Sequence, residues 1–193
     1  MKRPVWMIVF PLLLSGCSSL GVSNWMPTSW FGSSDTVTGD SVLGLDADTP
    51  VTHDAISRQL GDGFQIRTGM QSNGADVLPY AEVRQNDARV MTVNGKADGQ
   101  ISSVDIDSPE IKTEWGTHVG SRFSDIYPKA LGANCKIGQT EVDSAVICQA
   151  PQDQRIRYVF SGEWDGPQTL LPPDATLRDW QIKRIIWQAA PAP

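Results

Sequence analysis

The sequence contains few of the residues from which catalytic and metal centres are usually built. Its 193 residues include three cysteines and two histidines. The histidines, His53 and His118, are too far apart in sequence to give a zinc-ligand spacing. No C-x-x-C pair and no G-x-S-x-G motif is present. The sequence therefore predicts no cofactor, no metal site and no catalytic residues, and it favours a non-enzymatic protein.

Long apolar runs and an excess of basic residues are missing as well. The apolar stretch at residues 5–14 is too short for a membrane-spanning helix, which needs about 20 residues. It follows Lys2 and Arg3, so residues 1–16 are predicted to be an export signal peptide. The precursor has 16 basic and 22 acidic residues, and losing Lys2 and Arg3 leaves 14 basic residues. This acidic balance repels phosphates, which argues against nucleic acid as a partner.

The end of the predicted signal carries a second motif. Leu14-Ser15-Gly16-Cys17 looks like the lipobox of bacterial lipoprotein precursors. That resemblance implies thioether lipidation of Cys17, cleavage before it, and an anchor of several acyl chains, palmitate among them. Stable anchoring needs at least two chains. Ser18 stands where inner-membrane lipoproteins usually have Asp, so the lipobox implies an outer-membrane anchor with the domain in the periplasm.

The other two cysteines, Cys135 and Cys148, are predicted to form a disulfide, because the periplasm is oxidising. A bond across this short loop contributes about 2–4 kcal/mol. In a hairpin that pairs these cysteines, Ile137 faces Val146 and Gln139 faces Ser144, with the turn at residues 140–143. A metal-binding or redox pair is the alternative.

Composition divides the rest of the chain. Residues 17–47 are rich in Ser, Gly, Asp and Thr, and are predicted to be the lipidated N-terminus and a flexible tether. Within this tether Trp25, Trp30 and Phe31 could rest on the membrane surface or pack against the domain. A single periplasmic domain is predicted at residues 48–188, followed by a disordered tail at residues 189–193.

Local patterns predict an α+β fold, mainly an antiparallel β-sheet with two short helices and one disulfide-linked hairpin. The first helix starts with Thr49 as N-cap and stops at Gly61, and the second starts after Ser121 and is limited by Pro128. Further predicted strands lie at residues 64–68, 88–93, 101–106, 110–115, 156–160 and 180–187. Asn94-Gly95 is a turn signal, and the Ser102-Ser103 step indicates a bulge. The last strand is predicted to place Trp180, Ile182, Arg184 and Ile186 on one face.

Several weaker candidates for chemistry have simpler structural explanations. Asp105, Asp107 and Glu110 could hold Ca²⁺, but they lie beside Ser108-Pro109 and are interpreted as turn residues. The two histidines are interpreted as surface residues. The tryptophans at positions 115, 164, 180 and 187 are interpreted as core, with an exposed aromatic patch as the alternative.

A family resemblance rests on several segments together. These are the lipobox, Thr113-Glu114-Trp115-Gly116, the segment from Gly120 to Tyr127, the Cys135/Cys148 pair, and Trp180-Gln181-Ile182 with Ile186-Trp187. The chain resembles, over its whole length, the enterobacterial sigma-E-regulated lipoproteins of the YfeY-like family. That resemblance implies an envelope lipoprotein under envelope-stress control, but it assigns no catalytic residue, because the family's molecular function is unknown.

The hypothesis that follows is a membrane-tethered binding or scaffold domain, whose partner is an envelope protein or a cell-wall component. The alternative is a periplasmic hydrolase that acts on an envelope polymer such as peptidoglycan. An exposed apolar patch without convergent carboxylates would favour binding. A cleft that holds two carboxyls, one with a raised pKa, would favour hydrolysis.

Overall fold

A computed structural model of the chain describes residues 36–130, 132–139 and 144–189. The predicted signal peptide, Cys17, Ser18 and the apolar residues Trp25, Trp30 and Phe31 lie outside these residues. So do the hairpin turn at residues 140–143 and the end of the tail. No helix within the described residues is long and apolar enough to cross a membrane.

The described residues form ten strands and three short helices. In chain order they are β1 (Thr36–Val37), α1 (His53–Leu60), β2 (Gln65–Asn73), β3 (Asp76–Gln85), β4 (Ala88–Gly95), β5 (Ile101–Ile106), β6 (Lys112–Thr113), α2 (Phe123–Ile126), β7 (Cys135–Gln139), β8 (Ser144–Gln149), β9 (Ile156–Ser161), α3 (Asp174–Leu177) and β10 (Gln181–Gln188). Their content confirms the predicted α+β class, with three helices among these residues instead of the expected two.

Eight of the strands form one antiparallel sheet, in the order β2-β3-β4-β5-β10-β9-β8-β7. The period-2 alternation of strands explains why this sheet has one apolar face. In β9, for example, Ile156, Tyr158 and Phe160 are all fully buried. They belong to a core that also includes side chains of α1, α2, α3 and the segment before α1. The core therefore lies on one side of the sheet, which we call the inner face.

The segment before α1 is packed, although it belongs to the predicted tether. Val37, Val42 and Leu45 are fully buried in the core. The indole Nε1 of Trp187 donates a hydrogen bond to the carbonyl oxygen of Gly39 over 3.0 Å. The packed domain therefore includes residues 36–47, so its boundary lies earlier in the chain than the predicted residue 48.

The first helix begins later than its sequence pattern indicates. Thr52 is its N-cap, and its side chain accepts a hydrogen bond from the amide of Ala55 over 3.3 Å. Thr49 instead donates its hydroxyl hydrogen to a carboxylate oxygen of Asp46 over 2.7 Å. Gly61 ends the helix as predicted, with φ of 75°, a conformation that favours glycine.

The other helices also differ from their patterns. The N-cap of α2 is Arg122, whereas the hydroxyl of Ser121 accepts a hydrogen bond from the amide of His118 over 3.1 Å. Pro128 follows the short helix, as predicted. The third helix, α3, has four residues, which is too short to show a helical period.

The strand predictions fail where a pattern is interrupted. β3 is ten residues long, but it contains Pro79, which weakens a strand pattern. Asn94 and Gly95 are the last residues of β4 and not the turn; the chain turns after them, where Gly99 has φ of 87°. The predicted bulge is confirmed, because the register moves from Asn94 opposite Ser103 to Gly95 opposite Ile101.

Two further strands need correction. A strand was predicted at residues 110–115. Only Lys112–Thr113 of it forms a strand, and this strand pairs with β1 in parallel. In β10 the register shifts between Ile182 and Arg184, so that Lys183 is an extra residue. This bulge reverses the predicted faces beyond it, and Ile185 and Trp187 are buried with Ile182.

Candidate functional site

A cavity of about 610 Å³ lies between the segment that follows α2 and the end of β8. Its lining is mainly apolar and comes from two parts of the chain. The lining residues are Ile126, Tyr127, Pro128, Lys129, Gly132, Ala133, Asn134, Gln149, Ala150 and Pro151. A volume of this size is typical of ligand-binding pockets.

Tyr127 forms a rigid part of this lining. Its side chain is buried, and its ring lies 5.0 Å from the ring of Phe123. Its hydroxyl donates a hydrogen bond to the carbonyl oxygen of Gln149 over 2.5 Å. Burial raises the pKa of the Tyr127 hydroxyl above its usual range, so the group stays protonated and keeps this bond at neutral pH.

The disulfide lies immediately beside the cavity. Cys135 and Cys148 are bonded, and they face each other across β7 and β8 with Cα atoms 4.0 Å apart. The predicted register is confirmed, since Ile137 faces Val146. The neighbouring side chains are also joined, because the amide of Asn134 donates to the Gln149 side-chain oxygen over 2.8 Å. Two cross-strand links therefore hold the cavity wall where β7 begins and β8 ends.

A smaller cavity of about 330 Å³ adjoins the first and shares Tyr127 and Pro128 with it. Asp174 and Arg178 line this second space. One carboxylate oxygen of Asp174 accepts a hydrogen bond from the amide of Ala130 over 2.8 Å. This bond ties α3 to the segment that covers the larger cavity. The wall of that cavity is therefore fixed from both sides.

The predicted surface histidines lie away from the cavity lining. His53 is exposed and lies 3.3 Å from the carboxylate of Asp54. The His118 Nδ1 lies 3.1 Å from the carbonyl oxygen of Gly116. Neither residue is among those that line the two cavities.

The acidic residues Asp105, Asp107 and Glu110, at the end of β5 and after it, do not gather around one point. Asp107 binds two arginines, Arg184 over 2.8 Å and Arg89 over 3.0 Å. Burial raises the pKa of Asp105, whereas Glu110 is exposed and its amide donates to the Ser108 hydroxyl over 3.3 Å. No group of three His, Cys, Asp or Glu side chains within the described residues is arranged to hold a metal ion.

The tryptophans belong mainly to the core, as interpreted from sequence. Trp187 is fully buried and Trp180 nearly so, while Trp115 and Trp164 are partly buried against the same core. The indole of Trp115 donates to the Tyr158 hydroxyl over 2.8 Å. No sequence pattern indicates the cavity, because its lining residues are mostly small, Pro or amide residues without periodicity.

The fold and the cavity define an α+β domain with a single eight-stranded antiparallel sheet and a cavity at one sheet end. A family model described as "Protein of unknown function (DUF1131)" matches residues 19–189, and the chain belongs to this family. It is 40% identical over 181 residues to "Uncharacterized protein YfeY" of Escherichia coli strain K12, covering 92% of this chain and 94% of the relative. It is also similar to the crystal structure of the Escherichia coli protein of that name, with a TM-score of 0.70 and 38% identity over 79% of this chain and 99% of the other.

Proposed function

We propose that this protein is an outer-membrane lipoprotein whose periplasmic domain binds an apolar segment of an envelope protein in the cavity beside Tyr127. The anchor is the lipid on Cys17, and Ser18 directs the lipoprotein to the outer membrane. The observation that supports binding is the 610 Å³ cavity with its mainly apolar lining.

The rigidity of the cavity wall supports a binding role. The Cys135–Cys148 disulfide, the Asn134–Gln149 hydrogen bond and the Tyr127–Gln149 hydrogen bond all meet at this wall. A preorganised wall loses little conformational entropy when a ligand enters, and this increases affinity. An apolar side chain of a partner gains about 25 cal/mol for each Å² of apolar surface that it buries there.

The chemistry of the lining also favours binding over hydrolysis. Hydrolysis of a glycosidic bond usually requires two carboxyl groups on either side of the bond. The titratable side chains among the described lining residues are Tyr127, which stays protonated, and the exposed cation Lys129. Asp105, whose pKa is raised by burial, does not line the cavity. These groups suit an apolar ligand whose polar end lies near Lys129.

The binding hypothesis is tested by photo-crosslinking in cells that express the full chain. A photoreactive amino acid at position 129 or 134 should crosslink one recurrent envelope protein. The same residue at position 62, on the exposed loop after α1, is the control and should not capture that protein. Identical crosslinking patterns from all three positions would contradict the proposal.

A separate test addresses regulation, for which we propose control by the envelope-stress response. If the sigma-E response controls the gene, the protein level should rise several-fold when misfolded outer-membrane proteins accumulate. The measurement is quantitative immunoblotting with and without a functional sigma-E factor. An unchanged protein level would contradict this part of the proposal and would leave the binding hypothesis intact.

A further inference from the structure

The face of the sheet opposite the core carries a continuous band of polar and charged side chains. We call it the outer face, defined by the residues that alternate with the buried ones on the eight strands. One row of directly paired positions crosses seven strands, from β2 to β8. In sheet order this row is Arg67, Glu82, Thr92, Asp105, Ile186, Arg157 and Gln149.

The charge of the outer face is opposite to that of the whole chain. Its six basic residues are Arg67, Arg84, Arg89, Lys136, Arg157 and Arg184. Its four acidic residues on the same strands, or directly after β5, are Asp76, Glu82, Asp105 and Asp107. The chain as a whole has a formal net charge of −6. A cationic face on an acidic protein attracts an anionic partner to that face.

Two carboxylates of the outer face are already paired with arginines. Glu82 pairs with Arg84 over 2.7 Å, and Asp107 is shared by Arg89 and Arg184. Within the described residues, neither Arg67 nor Arg157 takes part in an ion pair. Arg67 is exposed and Arg157 is half-buried, so both guanidinium groups are left to bind a carboxylate from outside.

An aromatic ring lies on the same face near the sheet edge. Gly69 is directly opposite Tyr80, and a Cβ atom at Gly69 would lie 2.7 Å from Cε1 of the Tyr80 ring. The ring therefore lies across the backbone of the glycine, in the space where another side chain would stand. Tyr80 is only half-buried, so part of its ring surface is open for stacking.

Amide and hydroxyl groups continue from this ring across the sheet. Gln71 donates to the Asn94 side-chain oxygen over 3.0 Å, and Asn94 donates to the Ser103 hydroxyl over 3.2 Å. Gln188 lies opposite Ser103, and its side-chain oxygen is buried without a hydrogen-bond partner in the described structure. The amide and hydroxyl groups of Gln71, Asn94 and Ser103 suit a ligand rich in hydroxyl groups, whereas the Gln188 side-chain oxygen is buried below this surface.

We propose that the outer face binds an anionic polysaccharide chain that runs across the strands from Tyr80 to Arg157. A sugar ring stacks its C–H face on Tyr80, hydroxyls bind the amide row, and carboxylates pair with Arg67 and Arg157. Tyr80 on β3 and Arg157 on β9 are four strand spacings apart, or about 19 Å. The surface is thus long enough for an extended oligosaccharide, and its Tyr80 end is remote from the proposed protein-binding cavity.

The inference is tested with three soluble probes on the domain spanning residues 18–193 and on the full lipidated chain. Oligogalacturonate is an anionic sugar, chitohexaose is a neutral sugar, and polyglutamate is an anionic peptide. Oligogalacturonate should bind most tightly, by at least about tenfold, because only it satisfies both the ring and the arginines. Its affinity should fall as salt concentration rises.

Two sets of variants separate the contribution of the aromatic ring to binding from that of the arginines. Tyr80→Ala should weaken oligogalacturonate binding about tenfold, whereas Tyr80→Phe should preserve it, because the stacking ring remains. Arg67→Gln combined with Arg157→Gln should weaken it by a similar factor, and Lys112→Gln, an exposed cation on β6, is the matched control. Circular dichroism should show the same fold for all variants.

Three results would overturn the inference. One is that the domain binds neither oligogalacturonate nor isolated cell-wall sacculi. Another is that polyglutamate binds as tightly as oligogalacturonate, which would indicate an acidic protein as the partner. A third is that Tyr80→Ala changes the affinity no more than Lys112→Gln. None of these results would change the expected crosslinking from positions 129 and 134, so the proposed function is judged separately.

Discussion

The Tyr127 hydroxyl donates to the main-chain oxygen of Gln149 over 2.5 Å, and this bond connects the segment after α2 with the end of β8. Both residues line the larger cavity. The bond therefore fixes the distance between its two walls. Its donor is buried and its acceptor belongs to the backbone, so neither group can easily exchange this partner for water.

Replacing Tyr127 by Phe tests the importance of this bond. The ring contacts with Phe123 remain, but the Gln149 carbonyl loses its partner, which costs about 1–3 kcal/mol when the group is buried. We expect a lower free energy of unfolding in urea and weaker crosslinking from position 134. Ser124→Ala, an exposed change on α2, is the control and should alter neither quantity. An unfolding midpoint equal to that of the native protein would contradict the prediction.

Replacing Cys135 and Cys148 together by Ala tests the disulfide. The bond closes a loop with a sequence separation of 13 residues, so its loss should lower the free energy of unfolding by about 2–4 kcal/mol. The fold should persist, because the core extends over the whole sheet. Calorimetry of the native protein with and without reductant is the measurement. If the reductant leaves the melting temperature unchanged, the bond does not stabilise the domain.

The raised pKa of Asp105 implies that the stability of the domain depends on pH. Burial raises its pKa in the folded state above 3.8, the ordinary value of the group. The folded protein therefore holds this proton more tightly than the unfolded chain, and the stability contributed by Asp105 falls as the pH rises above about 4. Asp105→Asn should raise the melting temperature at pH 7, and this gain should shrink toward pH 3.

Asp107→Asn is the comparison for that measurement. The substitution breaks the ion pairs with Arg89 and Arg184, so it should lower the melting temperature at pH 7. At pH 7 the two neighbouring carboxylates thus have opposite effects on the stability of the domain. If Asp105→Asn destabilises the domain at pH 7 as Asp107→Asn does, the argument from burial is wrong.

The sorting prediction concerns the residue after the lipidated cysteine. Ser18→Asp should move the protein from the outer to the inner membrane, because Asp at this position is the usual retention signal. Sucrose-gradient fractionation of membranes from cells with either form measures the change. Ser18→Thr is the control and should stay in the outer membrane. A native protein found mainly in the inner membrane would reject the sorting prediction.

The parts of the fold that could be predicted from sequence are those with strict local periodicity. β9 shows uninterrupted alternation, and the Cys135–Cys148 pair sets the hairpin register, so both were predicted correctly. β3 was missed because Pro79 interrupts its pattern, although Pro79 is accommodated opposite Met70 in the ladder. The faces of β10 were reversed after Lys183, because a bulge depends on pairing with β9 and leaves no mark in the pattern of a single strand.

The candidate sites depend on contacts that are distant in sequence. The cavity joins Tyr127 to Gln149, which are 22 residues apart, and neither residue type indicates a site by itself. The outer face depends on the strand order, since Arg67 and Arg157 come from strands that are five spacings apart in the sheet. The cysteine pair could be predicted, because a disulfide depends on residue identity and spacing.

Intact mass analysis of the mature N-terminus is the decisive test of whether the protein is a lipid-anchored envelope protein. We expect the purified native protein to begin at Cys17 and to carry a mass increase equal to a diacylglyceryl group plus a further acyl chain. Cys17→Ala should accumulate as an unprocessed precursor without this mass. A native protein that begins elsewhere, or that carries no acyl mass on Cys17, would contradict the claim.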